Sequence, residues 1–154
     1  MAKLDLFRFV PFRLSRLAAE VSTALADEYR DRYGLDVPEW RVIATLGFRE
    51  APCSAQFISQ CTRTHKSTIS RAVTSLLERG VIERVENADD RREFSLRMTR
   101  KGSRLYEELF PRLLRKETEI MSCLSAQERR DFAVMLGKIE RQLDLVQAST
   151  AGPH

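Results

Sequence analysis

Between positions 13 and 32 the apolar residues Leu14, Leu17, Ala18, Val21 and Leu25 recur every three or four residues, with polar residues between them. This spacing predicts an amphipathic helix that ends near Gly34. A second helix starts at Val37-Pro38-Glu39-Trp40, where Pro38 sits in a first turn that does not need its missing N–H, and Trp40, Ile43 and Leu46 form its apolar stripe. Ala51-Pro52-Cys53 breaks that helix, and Ser54 caps a short third one that turns Phe57, Ile58 and Cys61 inward. After the polar interruption Thr62-Arg63-Thr64-His65, a fourth helix is predicted from about His65 to Arg79 with Thr64 as its cap. Ile69, Val73, Leu76 and Leu77 make one apolar face of it, and Lys66, Ser67, Thr68, Ser70, Arg71, Thr74 and Ser75 the other. Gly80 stops it in a left-handed conformation.

Beyond Gly80 the period changes to two. Val81 to Glu86 is rich in β-branched residues, and Phe94, Leu96 and Met98 alternate with Glu93, Ser95 and Arg97. Two antiparallel strands follow, joined by the polar run Asn87-Ala88-Asp89-Asp90-Arg91-Arg92. Thr99 opens a long helix to about Cys123 that carries Leu105, Leu109, Leu113 and Ile120, with a kink or local irregularity expected at Pro111. Ser125-Ala126-Gln127-Glu128 has the spacing of a capping box for a last helix, striped by Phe132, Met135, Leu136, Ile139, Leu143 and Val146. The tail from Ser149 to His154 is expected to fray. The predicted order is four helices, two strands and two helices: a mainly α fold with a small β-hairpin wing.

Composition narrows the possibilities. At 154 residues with 43% hydrophobic and 31% charged residues, the chain reads as one soluble globular domain, and no run of it resembles a membrane span. The apolar stretch from Leu4 to Phe12 is broken by Asp5 and Arg8 and lacks a small-residue cleavage site, so a cytoplasmic location is expected. Cys53, Cys61 and Cys123 are odd in number and widely spaced, and only His65 and His154 could supply imidazole. That set argues against a disulfide framework, a metal site or a histidine-based triad, so no cofactor and no enzymatic activity are expected. Net charge is only +4, but from Thr62 to Arg104 there are 11 Lys and Arg against 6 Asp and Glu, and elsewhere 15 against 16. A local basic excess suits a phosphate-facing surface, although a solvated charged face has the same composition.

A short helix, a polar turn and a second helix whose free face holds Ser, Thr, Lys and Arg is the arrangement that reads a DNA groove. A basic hairpin tip beside it can reach the minor groove. The residues Ser70-Arg71-Ala72-Val73-Thr74-Ser75-Leu76-Leu77-Glu78-Arg79-Gly80-Val81-Ile82-Glu83-Arg84 and the run Asp90-Arg91-Arg92-Glu93-Phe94-Ser95-Leu96-Arg97-Met98-Thr99-Arg100-Lys101-Gly102 resemble the winged helix-turn-helix core of MarR-type regulators. The family pattern there is Asp-Arg-Arg, a strand, then Leu-Thr-x-x-Gly, with Met98 standing for the usual Leu. Pro38-Glu39-Trp40-Arg41 and the flanking helices fit as well.

The resemblance implies a single domain over 1–154, with a DNA-binding core at about 38–102 and dimerisation helices at about 4–34 and 103–147. It implies a homodimer whose interleaved termini cover the stripes of the first and last helices and Phe7, Phe9, Val10 and Phe12, on a pseudo-palindromic site in double-stranded DNA. The DNA-facing residues carried over are Thr64, Lys66, Ser67, Thr68, Ser70 and Arg71 on the recognition helix, and Arg91 and Arg92 on the wing with Asp90 holding its shape. Ser67 and Thr68 could equally be helix-start residues with no base role, and Asp90 and Arg92 an exposed ion pair. Repression is the family's commoner mode, and a small aromatic or phenolic acid is its common effector. Phe12, Arg16, Trp40 and Arg41 could supply aromatic walls and a cation for such an acid, although a Trp in the place of Trp40 is more often core than ligand wall. No cysteine precedes Cys53, so the oxidant sensor that some relatives carry near the first helix is missing, and Cys53 is the one cysteine worth testing for a redox role. The alternative reading is a helical adaptor acting through its terminal helices without DNA, which has no use for Asp90, Arg91 and Arg92 at a hairpin tip.

Overall fold

The change of period after Gly80 marks two strands of a sheet against which helices pack. The computed structural model describes residues 1–49, 51–86 and 94–145. Its helices are α1 (Val10–Ala26), α2 (Arg30–Tyr33), α3 (Val37–Arg49), α4 (Ala55–Thr62), α5 (Lys66–Glu78), α6 (Arg100–Ile120) and α7 (Ala126–Gln142), with a 3-10 turn at Met121–Cys123 after α6. The strands are β1 (Cys53–Ser54), β2 (Ile82–Glu86) and β3 (Phe94–Met98).

The helix expected over 13–32 is two helices. Pro11 stands in the first turn of α1, which begins three residues earlier than predicted. The helix ends at Ala26 because Tyr29 is drawn into the core, 1% exposed, and stacks on Trp40 of α3 with ring centroids 5.7 Å apart. That contact connects two elements and leaves no trace in local periodicity. The expected hairpin is a three-stranded antiparallel sheet in the order β1-β3-β2, with Cys53 opposite Leu96 and Arg84 opposite the same residue from the other side. Of the two residues of β1, Cys53 falls in the expected helix break and Ser54 is the expected N-cap of α4; both are extended because they pair with Leu96 and Ser95 of β3. Pro111, where a kink or local irregularity is expected, lies inside α6, which continues past it to Ile120.

Predicted ends at Ser54, Gly80, Thr99 and Ser125 have the expected chemistry. Ser54 Oγ accepts from Phe57 N at 3.1 Å, and Thr99 Oγ1 from Gly102 N at 3.2 Å. Ser125 and Glu128 form the reciprocal capping box, and Gly80 has φ +69°. Gly102, the last residue of the family pattern, has a steric reason: a β-carbon there would overlap the carbonyl oxygen of Val81. The start of α6 can lie against the start of β2 only without a side chain at that position.

The core is central to α3, α4, α5 and the sheet, with Val42, Ile43, Ile58, Ile69, Leu76 and Val81 at 1% exposure or less. The terminal helices differ. α7 buries none of its residues and α1 only Ala26, while Phe7, Phe9, Leu14, Leu17, Met135, Leu136, Ile139 and Leu143 are all exposed. Val146 and the tail from Ser149 lie outside the described residues. No described helix is long and apolar enough to cross a membrane.

Candidate nucleic-acid interface

α4 and α5 meet through a turn whose polar groups are nearly all spent on holding it. Arg63 takes the left-handed conformation at φ +52°, unusual for a residue with a side chain, and ends α4 there. Buried Ser59 donates its hydroxyl to Thr64 O at 2.7 Å. Thr64 Oγ1 accepts from Arg41 Nη1 at 3.0 Å and lies 3.1 Å from Thr62 Oγ1. Thr64 therefore ties the turn to α3 and does not cap α5 as the sequence suggested. The cap is His65, whose Nδ1 accepts from Ser67 N at 3.2 Å and lies 2.8 Å from Ser67 Oγ.

From this start α5 divides cleanly. Ile69, Ala72, Val73 and Leu76 are buried, and Lys66, Ser67, Ser70, Arg71 and Thr74 are exposed, with Thr68 half-buried at the border. Each fully buried aliphatic side chain contributes about 1.5–3 kcal/mol, so one face fixes the helix and the other is left for contact.

The far end of α5 is clamped to α3 by a network that sequence reasoning missed. Glu39, 6% exposed, shares a reciprocal cap with Asp36: Glu39 N donates to Asp36 Oδ1 at 2.8 Å and Asp36 N to Glu39 Oε1 at 3.1 Å. Its other oxygen accepts from Ser75 Oγ at 2.9 Å and faces Arg79 Nη1 at 3.6 Å. Arg79 also donates to Gly34 O at 3.0 Å and Tyr33 O at 2.7 Å. A buried carboxylate with this many donors is well satisfied, and it fixes the angle at which α5 leaves the core. The Asp36-x-x-Glu39 spacing was the available signal.

The wing strands carry their own ties. Arg97 Nε donates to Glu83 Oε1 at 2.7 Å across the β2–β3 pair, and the Arg84 guanidinium lies 5.1 Å from the Phe94 ring centroid. At the base, Thr99 Oγ1 donates to Gly80 O at 2.6 Å and Lys101 Nζ to Arg79 O at 2.8 Å, joining the wing to the end of α5. Asp90, Arg91 and Arg92, at the predicted tip, lie outside the described residues.

This layout is shared with known regulators. Residues 33–93 match the model of the MarR family, a span that runs from α2 through the α4–turn–α5 unit into the wing. Over those residues the chain is similar to MarR-family regulators. The HTH-type transcriptional regulator PecS of Dickeya dadantii (strain 3937) is 28% identical over 132 residues, 84% of this chain and 79% of PecS. A MarR/EmrR family transcriptional regulator from Acinetobacter sp. ADP1 is 25% identical with a TM-score of 0.81, over 93% of this chain and all of that one. The PcaV transcriptional regulator from Streptomyces coelicolor, solved in complex with its natural ligand, is also 25% identical, with a TM-score of 0.74 over 96% of this chain and all of PcaV. The relatives are transcriptional regulators, and the protein is thus read as a DNA-binding transcriptional regulator with a MarR-type fold and not as an enzyme.

The four residues suggested for a MarR-type effector pocket fall into two groups. The Arg16 guanidinium lies 5.1 Å from the Phe7 ring centroid and 5.8 Å from that of Phe12, the two rings meeting edge to face. Trp40 is held by Tyr29 and Arg41 by Thr64, and among the described residues no hydrogen bond, ion pair or ring contact joins these to Phe12 or Arg16. A cavity of about 330 Å³ opens instead beside Tyr33, Arg100, Lys101, Arg104, Leu105 and Glu108. Cys53 is 5% exposed, and burial pushes its thiol up to about 11 against the opposing pull of Arg49. Burial also raises Cys61. Both therefore stay protonated near neutral pH, the unreactive form.

Proposed function

We propose that this MarR-type regulator binds a pseudo-palindromic operator as a homodimer and represses transcription from it, inserting α5 in the major groove and the wing tip in the flanking minor groove. The observation that carries this reading is the division of α5 into a buried face and an exposed face bearing Lys66, Ser67, Ser70 and Arg71, anchored at one end by the Arg41–Thr64 turn and at the other by Glu39 and Arg79. Short hydroxyls and cations on an anchored helix suit base edges and phosphates. Thr68 stands at the edge of this face. Thr64, whose hydroxyl is engaged with Arg41, acts by shaping the turn. Arg91 and Arg92 supply the wing cations, with Asp90 holding the loop.

The exposed apolar residues of α1 and α7 support the dimer, since a continuous apolar stripe on a 17-residue helix that buries nothing calls for a partner surface. Two-fold symmetry then sets two half-sites about one or more helical turns apart. The test is selection from a library of randomised duplexes followed by a mobility shift. An inverted repeat bound far more tightly than its scrambled version supports the reading. Retention of no duplex overturns it and leaves the adaptor reading in its place.

A small aromatic or phenolic acid is proposed as the effector, with Arg16 as the cation for its carboxylate and Phe12 beside it as an aromatic wall. PcaV, similar over nearly the whole chain, takes a ligand of its own. Trp40 and Arg41 belong to this pocket only if they leave Tyr29 and Thr64, and that rearrangement would disturb the α4–α5 turn. Calorimetry with salicylate-like acids tests it: Arg16→Ala should abolish the heat and leave DNA affinity without ligand unchanged. Absence of heat from the unaltered protein across a panel of such acids removes the proposal.

A further inference from the structure

The contact between His65 and Ser67 determines more than where α5 begins. Ser67 N donates to His65 Nδ1 at 3.2 Å, and a backbone N–H can only donate, so in this contact Nδ1 presents its lone pair and the ring hydrogen sits on Nε2. Ser67 Oγ lies 2.8 Å from that same bare Nδ1. Two acceptors do not hydrogen-bond each other, so the serine hydroxyl is the donor and its proton is turned back toward the histidine. What exposed Ser67 offers outward is oxygen lone pairs alone. Ser70, one turn on, makes no side-chain hydrogen bond among the described residues, and its hydroxyl can present either polarity.

Resting on the proposed reading of α5 as the major-groove helix, we infer that His65 is a positioning residue that makes Ser67 an acceptor-only reader of bases. In the major groove the donors are the exocyclic amino groups, N6 of adenine and N4 of cytosine, and the carbonyls O6 of guanine and O4 of thymine are acceptors. Every base pair carries one amino group on one strand. An acceptor-only side chain facing one strand therefore sorts bases into the amino class, A and C, against the keto class, G and T. It does not separate purines from pyrimidines. Seen from the complementary strand the same preference reads as G and T, so its signature is a position where the two tolerated bases are A and C or G and T.

The experiment selects duplexes from a randomised library with the full-length protein and with His65→Ala, His65→Asn and Ser67→Ala. The selected duplex is then bound again with unsubstituted purine in place of adenine at the amino-class position, which deletes N6 and its hydrogens, or with a cytosine analogue lacking N4 if cytosine is preferred. The expected result is one amino-class position per half-site in the unaltered protein, and a loss of affinity of about fivefold or more on removal of the amino group. Ser67→Ala should lose both effects. His65→Ala frees the hydroxyl proton and should lose the class preference while keeping the other positions. His65→Asn, whose Oδ1 accepts from the same two groups, should keep it.

A cap that is only structural would weaken all positions together, and that pattern overturns the inference. So does indifference of the unaltered protein to the missing amino group. If His65→Ala does not fold, His65→Asn and Ser67→Ala still decide the question on the analogue duplex. Failure of the unaltered protein to retain any duplex overturns the DNA-binding geometry itself, and is distinguishable from binding without an amino-class position.

Discussion

The helix-turn-helix core and the terminal helices are both amphipathic, but they dispose of their apolar faces differently. In α5, Ile69 and Leu76 are 1% and 0% exposed, covered by α3, α4 and the sheet of the same protomer. In α7, Met135 and Ile139 remain 53% and 46% exposed on a helix whose capping box and stripe are as well formed. The local sequence logic is the same, so the difference lies in what is available to pack against. A helix of this length is marginal in water without tertiary contacts, and the proposed second copy would supply them. The core covers its own apolar face, and the ends leave theirs exposed.

The most severe way to break this contrast is to remove α7 by ending the chain before Ser125. The expected outcome is loss of soluble, DNA-competent dimer, read by sedimentation and mobility shift. A folded monomer that still bound its site would show that α7 is not the dimerisation element. Gly102→Ala probes the core by comparison. The added β-carbon meets the Val81 carbonyl, a backbone atom that cannot rotate aside, so urea unfolding should show a loss of about 1–3 kcal/mol or more. An unchanged midpoint would mean that the junction of β2 and α6 is not tight.

A smaller effect is expected at the wing. Arg92→Ala should weaken binding to selected and scrambled duplexes alike and lower the log–log salt slope by about one. Asp90→Ala should follow it in part. Unchanged slopes on both duplexes would remove the wing from the interface. The smallest effect sharpens the contrast chemically. Exposed Cys123 should react quickly with a thiol reagent at pH 8 and buried Cys53 should lag far behind it. Because the folded-state pKa of Cys53 is raised from 9.0 to about 11, the folded protein holds that proton longer than the unfolded chain. Its contribution to stability is complete below pH 9 and is lost as pH rises towards 11. Equal labelling rates of the two thiols would contradict the burial.

Features governed by neighbouring residues were legible in the sequence. Ser54, Gly80, Thr99 and the Ser125–Glu128 box end their helices as predicted, since a cap is a contact across two or three residues. The buried stripe of α5 was likewise readable from its spacing. What escaped depends on residues far apart in the chain: Tyr29 stopping α1 by stacking on Trp40, β1 forming because β3 lies beside it, and Glu39 reaching Ser75 and Arg79. At the start of α5 the sequence pointed to Thr64 as the cap and to His65 as the first helical residue. The choice fell to His65 because Arg41, 23 residues away, already engages Thr64.

The central claim is that the self-sufficient core reads DNA and the unsatisfied ends make the reader two-fold. Sedimentation velocity of the full-length protein with a selected duplex tests both halves at once. The expected species is two protomers on one duplex bearing an inverted repeat, with a free dimer in the absence of DNA and no comparable complex on a scrambled duplex. A monomer in solution, one protomer per duplex, or equal binding to both duplexes would contradict it.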